Sequence, residues 1–200
     1  MPFVPNTTLV PDELQTSEFI LRPLRVTDVA LDYDAVMETK DFLRAWSQSD
    51  WPWDTFTIAD NEKDLERHER EHLDREAFTF TVMNLPQTEC LGCVYIRPLP
   101  DALRDSGDWL TVQEVPLPAL VSFWVRQSRI DSDLDRRLLG ALRDWFRSEW
   151  PFSCVLFFTD PNNTRQKSLM VDSGMQLRRE MQSQSRPVKW LVYGQGPRIS

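Results

Sequence analysis

Two β-rich runs separated by one amphipathic helix constrain the fold of this chain most. The runs are ALVSFWV (Ala119 to Val125) and SCVLFF (Ser153 to Phe158). Between them, apolar residues recur at helical spacing on one face: Leu134, Leu138, Leu142, Trp145 and Phe146. A strand, a crossover helix and a second strand in one sheet form a parallel pair with the helix packed on the sheet. The sequence therefore predicts one parallel strand pair.

The other segments predict a mainly antiparallel sheet around that pair. Five further runs are typical of strands: Phe19 to Leu24, Phe78 to Asn84, Cys90 to Ile96, Met175 to Met181 and Val188 to Tyr193. Three further segments predict helices: Asp28 to about Trp46, Asn61 to Glu76, and Thr164 to Asp172. The order β-α-α-β-β-β-α-β-α-β-β predicts a mixed α/β (α+β) fold of three layers, with about seven central strands, one parallel pair and flanking helices.

Length and composition indicate one folded unit. With 200 residues, 41% apolar, 8 Trp and 11 Phe, the chain is long enough for a substantial core without disulfides. We predict a single domain over residues 1–200, with its core at about 19–193. Residues 97–118 hold four prolines and no clear period, so we predict that they are an insertion.

Charge and hydropathy argue against two classes of partner. The net charge of −8 repels phosphate backbones and anionic lipids, so neither nucleic acid nor a membrane surface is expected to bind. The first residues, MPFVPNTTLVPDEL, lack the features of a signal peptide, and no apolar run reaches the roughly 20 residues that cross a bilayer. We expect a cytoplasmic protein.

The three cysteines are interpreted as free thiols. Cys90 and Cys93 lie three apart in a predicted strand, which would point their side chains to opposite faces of the sheet. With Cys154 the number is odd. We therefore expect no redox pair and no zinc site.

The segment DPNNTRQKSLMVDSGM (Asp160 to Met175), the run SFWV (Ser122 to Val125) and the order of elements together resemble the GNAT superfamily of N-acetyltransferases. The resemblance is greatest to the ribosomal-protein and aminoglycoside acetyltransferase-like branch. Asn163 at a strand end, with Gly174 and Met175 eleven and twelve residues later, matches the family's spacing. The resemblance covers about Phe19 to Tyr193.

The resemblance implies acetyl-CoA or another acyl-CoA as cosubstrate, and no metal. In the family, the backbone of the strand that matches SFWV splays away from its neighbour and binds the pantetheine arm. Carried over residue by residue, the implied coenzyme site contains Phe123, Trp124, Val125, Arg126, Arg136, Arg137 and Asn163.

The family's glycine-rich phosphate loop is altered in this sequence. Its glycines fall on Asp131, Asp133 and Asp135 of RIDSDLDRRLL. Glycine lets the backbone N–H groups at a helix start approach pyrophosphate. The carboxylate of an aspartate instead accepts hydrogen bonds from those N–H groups itself and repels the anion. Two like charges 4 Å apart repel by about 1 kcal/mol in water and about 4 kcal/mol at an effective dielectric of 20. The loop is therefore expected to weaken coenzyme binding.

Three interpretations of these aspartates remain open. They can simply cap the helix, because acidic residues are favoured in a first turn. They can form a D-x-D-x-D calcium loop, although Arg136 stands where that loop needs glycine and Leu142 where it needs glutamate. Neighbouring arginines can also neutralise bound phosphates in a retained site: Arg126, Arg129, Arg136 and Arg137.

A second motif, His68-Glu69-Arg70-Glu71-His72, reads literally as the zinc-hydrolase pattern H-E-x-x-H. The surrounding DLERHEREHLDRE alternates acids and bases, as a solvent-exposed helix face does. We therefore interpret it as a solvated face and expect no metal site.

Aromatic residues are the candidates for the binding site of the acceptor substrate. Trp46, Trp51 and Trp53 lie between the first two predicted helices, a connection that shapes the acceptor pocket in the resembled family. The alternative is a small hydrophobic cluster under a loop. For catalysis, Ser122 and Glu114 are the candidates, and Gln166 and Met170 stand where related sequences often have Ser and Tyr.

The leading hypothesis is an N-acyltransferase that moves an acyl group from acyl-CoA to a primary amine of a small molecule or a protein N-terminus. The alternative is a non-catalytic GNAT-fold module that binds a ligand or a protein and has lost ordinary coenzyme binding. The resemblance leaves a homodimer open.

Overall fold

The structure, a computed structural model, describes residues 2–99, 117–182 and 188–195. Its strands are β1 (Leu14–Gln15), β2 (Phe19–Pro23), β3 (Phe78–Asn84), β4 (Cys90–Pro98), β5 (Pro118–Val125), β6 (Cys154–Thr159), β7 (Gln176–Gln182) and β8 (Lys189–Gly194). Its helices are α1 (Val29–Glu38), α2 (Lys40–Ser47), α3 (Ile58–Leu73), α4 (Leu134–Ser148) and α5 (Thr164–Asp172).

The strands of these ranges form one eight-stranded sheet in the order β1-β2-β3-β4-β5-β6-β8-β7. Every neighbouring pair is antiparallel except β5 and β6, which run parallel. The predicted sheet with one parallel pair is confirmed. The two-residue strand β1, which pairs with β2 at the edge, was not predicted because it is too short to show a period.

The sheet is covered by helices on both faces, as predicted. On one face, α4 and α5 bury apolar side chains such as Leu138 and Leu169 against β3, β4 and β5. On the other face, residues of α1, α2 and α3, among them Val36, Leu43 and Leu65, pack against Trp124. This three-layer arrangement leaves the ends of β5 and β6 between the two helical layers.

The single helix predicted from Asp28 to Trp46 is in fact two helices. They meet at Thr39, whose backbone leaves helical geometry at φ −102° and ψ 7°. The Thr39 hydroxyl accepts a hydrogen bond of 3.1 Å from the backbone N–H of Gln127, in the segment after β5. A tertiary contact of this kind leaves no trace in the local pattern.

Helix α3 begins at Ile58, because Thr57 and Asp60 form a reciprocal capping box. The interpretation of its H-E-x-x-H motif as a solvated face is wrong. His68 is buried beneath Tyr95, and His72 packs on the rings of Phe78 and Phe80. The helix has acids and bases on its outer side, but both imidazoles face the sheet.

The expectation that Cys90 and Cys93 point to opposite faces is also wrong. The pairing of β3 with β4 shifts by one residue between Val82 and Met83, which marks a β-bulge in β4. The bulge returns both thiols to the face covered by α1, where they are buried and free. Across the part of the chain that is described, the His, Cys, Asp and Glu side chains close enough to share a metal ion are Asp32, Cys90 and Cys93, so neither histidine belongs to such a group.

The predicted insertion over 97–118 is described only at its ends. Strand β4 continues to Pro98, and β5 starts at Pro118. Residues 100–116, including the catalytic candidate Glu114, lie outside the described residues. Within the described ranges, no helix combines the length and the apolar character needed to cross a bilayer.

Candidate active site

Strands β5 and β6 separate halfway along their length. They pair from Pro118 with Cys154 to Val121 with Phe157, and no further. Beyond that point, Ser122 to Val125 pair only with β4. From Ser122 onward, β5 therefore leaves an opening on the side that faces β6.

Gln166 of α5 crosses this opening. Its Nε2 donates to the backbone carbonyl of Phe123 at 2.8 Å, and its Oε1 accepts from the Thr159 hydroxyl at 2.7 Å. Gln166 is buried and thereby ties α5 to the ends of both strands. A carbonyl oxygen has two lone pairs, so Phe123 can still accept one further hydrogen bond.

Side chains of the predicted coenzyme strand point away from the opening. Phe123 and Val125 belong to the core under α4, and Trp124 belongs to the core under α1, where its indole N–H donates to the Tyr95 hydroxyl at 3.2 Å. Any ligand in the opening would therefore contact the backbone of these residues.

A first cavity, of about 340 Å³, lies beside the opening on the side of α5. It is lined by residues of α2, of the segment after β5, and of the β6–α5 connection, among them Phe42, Trp46, Gln127, Asn163 and Arg165. Two buried donors on its wall, Trp46 Nε1 and Asn163 Nδ2, have no hydrogen-bond partner among the described residues. Buried donors normally have partners, so this wall suits a ligand that carries acceptor oxygens. We call it the donor cavity.

The start of α4, the predicted phosphate loop, borders the donor cavity. A 3-10 turn over Gln127–Ser132 leads to Asp133, which adopts a left-handed conformation with φ 56°. Asp135 is buried, and its Oδ1 accepts from the backbone N–H of Arg136 at 2.9 Å. Asp131 remains exposed.

Arg165 of α5 binds three residues of this loop. Its Nε lies 2.5 Å from Asp135 Oδ2, and its guanidinium also binds Asp133 Oδ1 at 2.8 Å and the carbonyl of Ile130 at 2.9 Å. The two carboxylates raise the pKa of Arg165 above its already high value. Sequence reasoning missed this residue, and its only signal was a basic side chain two positions after Asn163.

The arginines predicted to neutralise phosphates are each paired with a carboxylate. Arg126 is buried between Asp34 and Glu38, each at 2.5 Å. The other three pairs are Arg129 with Glu89, Arg136 with Asp172, and Arg137 with Glu18. Their role in coenzyme binding stays a prediction.

A second cavity, also of about 340 Å³, lies between α1, α2, α3 and the sheet. Aromatic side chains form much of its wall: Trp46, Trp51, Tyr95, Phe158 and Trp190. The polar wall includes Asp32, Asn61, Asp64, Arg67, His68, Arg97 and Ser122. Trp46 lines both cavities. We call this one the acceptor cavity.

The structure brings together two of the three tryptophans predicted for the acceptor side. Trp46 and Trp51 line the acceptor cavity, and the Trp51 indole donates to Asp64 at 3.2 Å. Trp53 is 42% exposed, packs edge-on against Phe56 and does not line the cavity. Ser122 lies on the cavity wall, at the point where β5 leaves β6.

Three titratable groups on this wall have strongly shifted pKa values, and burial raises the pKa of one of them, Tyr95, well above its usual range. Burial raises the pKa of Asp32 to about 6, although hydrogen bonds from Asn61 Nδ2 at 2.9 Å and Cys93 Sγ at 3.6 Å oppose the shift. Burial lowers the pKa of His68 to about 3, with a contribution from Arg67. At neutral pH, Asp32 is therefore mostly ionised and His68 is neutral. Asp32 was missed because nothing near it in the sequence marks it as buried.

Comparisons with known proteins agree with this geometry. No protein-family model and no curated protein sequence matches the chain. Solved structures do match. RimL, a ribosomal alpha-N-protein acetyltransferase in complex with coenzyme A, is 14% identical, with a TM-score of 0.69 over 90% of this chain and 94% of that one.

Two further structures give the same result. The microcin self-immunity acetyltransferase MccE, in complex with acetyl-CoA and AMP, is 12% identical, with a TM-score of 0.71 over 95% of this chain and 99% of MccE. A ribosomal-protein-alanine acetyltransferase from Vibrio fischeri is 13% identical, with a TM-score of 0.67 over 92% and 95%. The fold predicted from the resemblance is thus confirmed: the chain has the GNAT acetyltransferase fold.

Proposed function

We propose that the protein is an N-acyltransferase that moves an acyl group from acyl-CoA to a primary amine. The observation that carries the proposal is the separation of β5 from β6, with a cavity on each side and Trp46 common to both. Direct transfer needs two substrates whose reacting atoms meet, and two cavities that share a wall residue suit that arrangement.

The donor cavity fits the pantetheine part of acyl-CoA. Pantetheine carries amide carbonyls, and the buried donors of Trp46 and Asn163 have no acceptor within residues 2–99, 117–182 and 188–195. It also carries amide N–H groups, for which the free lone pair of the Phe123 carbonyl is an acceptor. Asn163 also caps α5, because its Oδ1 accepts from the backbone N–H of Gln166 at 3.0 Å.

The start of α4 fits the pyrophosphate less well. Asp133 and Asp135 put two carboxylates where the resembled family has glycines, and Arg165 supplies one positive charge against them. We therefore propose that coenzyme binding relies on the pantetheine arm more than on the phosphates. This pair of aspartates is also what favours the alternative, a non-catalytic module of the same fold.

The acceptor is proposed to be a small-molecule amine or the first residues of a protein. RimL is named as a ribosomal alpha-N-protein acetyltransferase and MccE as a microcin self-immunity acetyltransferase, so the similar structures do not point to one class of acceptor. A cavity of about 340 Å³ is at the small end of ligand sites. The three free cysteines agree with a reducing compartment, and we propose the cytoplasm.

Calorimetric titration with acetyl-CoA, together with an assay of thiol release in the presence of amines, tests the proposal. Ala45 is exposed on α2 and lines the donor cavity, so Ala45→Trp should fill that cavity and weaken acetyl-CoA binding at least about tenfold. Glu66→Trp, on the exposed side of α3 and outside both cavities, is the matched control. Absence of acetyl-CoA binding to the unmodified protein would contradict the proposal and support the non-catalytic module.

A further inference from the structure

Asp32 is a buried carboxylate on the wall of the acceptor cavity. Its residue is only 4% exposed, and it reaches the cavity from the first turn of α1. Asn61 and Cys93 each donate one hydrogen bond to it. A carboxylate has about four lone-pair sites, so roughly two remain for a ligand.

Among the described residues, the charge of Asp32 lacks the cationic partner that its acidic neighbours have. Asp28, just before α1, is paired with Arg22 at 2.8 Å, and Asp64 of α3 is paired with Arg67 at 3.2 Å. In the described ranges, no arginine, lysine or histidine forms an ion pair with Asp32. A buried charge is costly unless it is paired, and the open space beside Asp32 is where a cation can pair with it.

We infer that Asp32 binds the ammonium group of the acceptor and takes its proton, and that the acceptor is a compact primary amine with a flat, apolar body. The inference rests on the proposed function for its catalytic half. Its binding half stands on the cavity alone.

The aromatic wall determines the proposed body of the acceptor. Trp46, Trp51, Tyr95 and Trp190 surround a space suited to a planar apolar group, and indole faces also attract a cation. Within the described ranges, the arginine side chains of this wall form no ion pair with Asp32, because one is paired with other carboxylates and the other is exposed to solvent. Arg67 is bound to Asp64 and Glu71, and Arg97 is exposed.

The proposed proton transfer balances as follows. The ammonium gives one proton to the Asp32 carboxylate, which leaves a neutral amine and a carboxylic acid. The amine nitrogen attacks the thioester carbonyl carbon, a C–N bond forms, and the C–S bond breaks as the tetrahedral intermediate collapses. The second amine proton neutralises the departing thiolate, and Asp32 releases its proton to solvent. The net products are the amide, free CoA and one proton.

Groups from every element around Asp32 bear on its titration. The turn before α1 contributes Asp28, α3 contributes Asp64 and Asn61, and β4 contributes Cys90, Cys93 and Tyr95. Burial raises the pKa of Asp32 most, the Asn61 and Cys93 hydrogen bonds lower it, and the two carboxylates raise it slightly further. Removing the Cys93 thiol should therefore raise that pKa further.

Binding is tested by calorimetry with 2-phenylethylamine and its neutral analogue 2-phenylethanol, without coenzyme. The unmodified protein should bind the amine at least about tenfold more tightly than the alcohol, and Asp32→Asn should abolish this preference. Glu66→Gln removes an exposed carboxylate from α3 and should keep it. Equal amine binding by Asp32→Asn and the unmodified protein would overturn the inference.

Catalysis is tested by the pH profile of kcat/KM with acetyl-CoA and 2-phenylethylamine. In the unmodified protein, kcat/KM should fall on the acid side of about pH 6. Asp32→Asn should lower kcat by a factor of about 10² to 10⁴. In Cys93→Ala, this acid limb of the profile should shift to higher pH. An unchanged limb in Cys93→Ala with normal turnover in Asp32→Asn would overturn the catalytic half. Amine binding at Asp32 without any acyl transfer would contradict the proposed function and support the ammonium site.

Discussion

Arg165 binds Asp135 across the gap between α5 and α4, with Nε 2.5 Å from Oδ2. The carboxylate side chain is only 4% exposed, whereas the arginine is 40% exposed. The contact joins the first turn of α4 to α5, whose first residues line the donor cavity. The aspartates of this loop are thus more than a charge barrier to phosphate, because two of them hold a structural ion pair.

Replacing Arg165 by Met should destabilise the protein markedly. The change keeps an unbranched side chain but leaves the buried Asp135 charge without its cation. Breaking a buried pair costs about 3 to 5 kcal/mol, and the partial exposure of Arg165 puts the expected loss near about 3 kcal/mol. Urea unfolding of this variant measures the loss. The control is Arg147→Met, which breaks an exposed ion pair with Asp144 and should cost under about 1 kcal/mol. Equal losses of stability in both variants would contradict the prediction.

Asp133→Gly should raise the affinity for acetyl-CoA. Asp133 has a left-handed backbone, which glycine adopts without strain, and its removal frees part of the Arg165 guanidinium. Relief of one repulsion of about 1 kcal/mol corresponds to about a fivefold gain in affinity. Calorimetry at matched ionic strength measures it. Weaker binding by the glycine variant would indicate that Asp133 belongs to a working coenzyme site.

The fold could be predicted because its signals are local. The apolar runs of β5 and β6 and the apolar face of α4 between them are each visible in a short stretch of sequence, and a strand-helix-strand order then predicts a parallel pair. The bulge in β4 could not be predicted, because it depends on another strand. Gly92 lies so close to β5 that a Cβ there would collide with the carbonyl oxygen of Trp124.

The site was less predictable than the fold, because it depends on contacts between residues that are distant in the sequence. Trp46 and Trp51 could be placed from their position between two helices. Gln166, Arg165 and Asp32 act through contacts with residues more than 25 positions away: Phe123, Asp135 and Asn61. Nothing in the sequence around them distinguishes a buried, functional polar residue from an exposed one.

Trp46→Phe should weaken acetyl-CoA binding without destabilising the free protein. The indole N–H of Trp46 has no hydrogen-bond partner in the described part of the chain, so its loss costs no hydrogen bond there and removes an unsatisfied buried donor. If a coenzyme carbonyl accepts from this N–H, its loss should reduce affinity by about twofold to tenfold. Thermal melts and calorimetry measure the two effects. Trp53→Phe, at an exposed position outside the cavities, is the control, and an unchanged affinity in both variants would show that the coenzyme does not use this donor.

Asp32 and His68 should make opposite contributions to stability in acid. The folded pKa of His68 is about 3, against 6.5 for the free side chain. The unfolded state therefore binds more protons between these values, and stability falls as the pH falls from 6.5 to 3. The folded pKa of Asp32 is about 6, against 3.8 for the free side chain. Here the folded state binds more protons, so stability rises as the pH falls from 6 to 3.8.

Asp32→Asn should therefore steepen the acid destabilisation of the protein. Each group contributes up to about 1.4 kcal/mol per pH unit, so the two slopes largely cancel between pH 6 and 4 in the unmodified protein. Without Asp32, the His68 slope is uncompensated, and the stability gap between variant and unmodified protein should change by up to about 3 kcal/mol over this interval. Urea midpoints at pH 4, 5, 6 and 7 measure it. His68→Gln should have the opposite effect, so that stability rises as the pH falls from 6 to 4, because only the Asp32 slope remains. Parallel curves for the unmodified protein and Asp32→Asn would contradict the prediction. They would mean that the Asp32 carboxyl has the same pKa in the folded protein, beside Asn61 and Cys93, as in the unfolded chain.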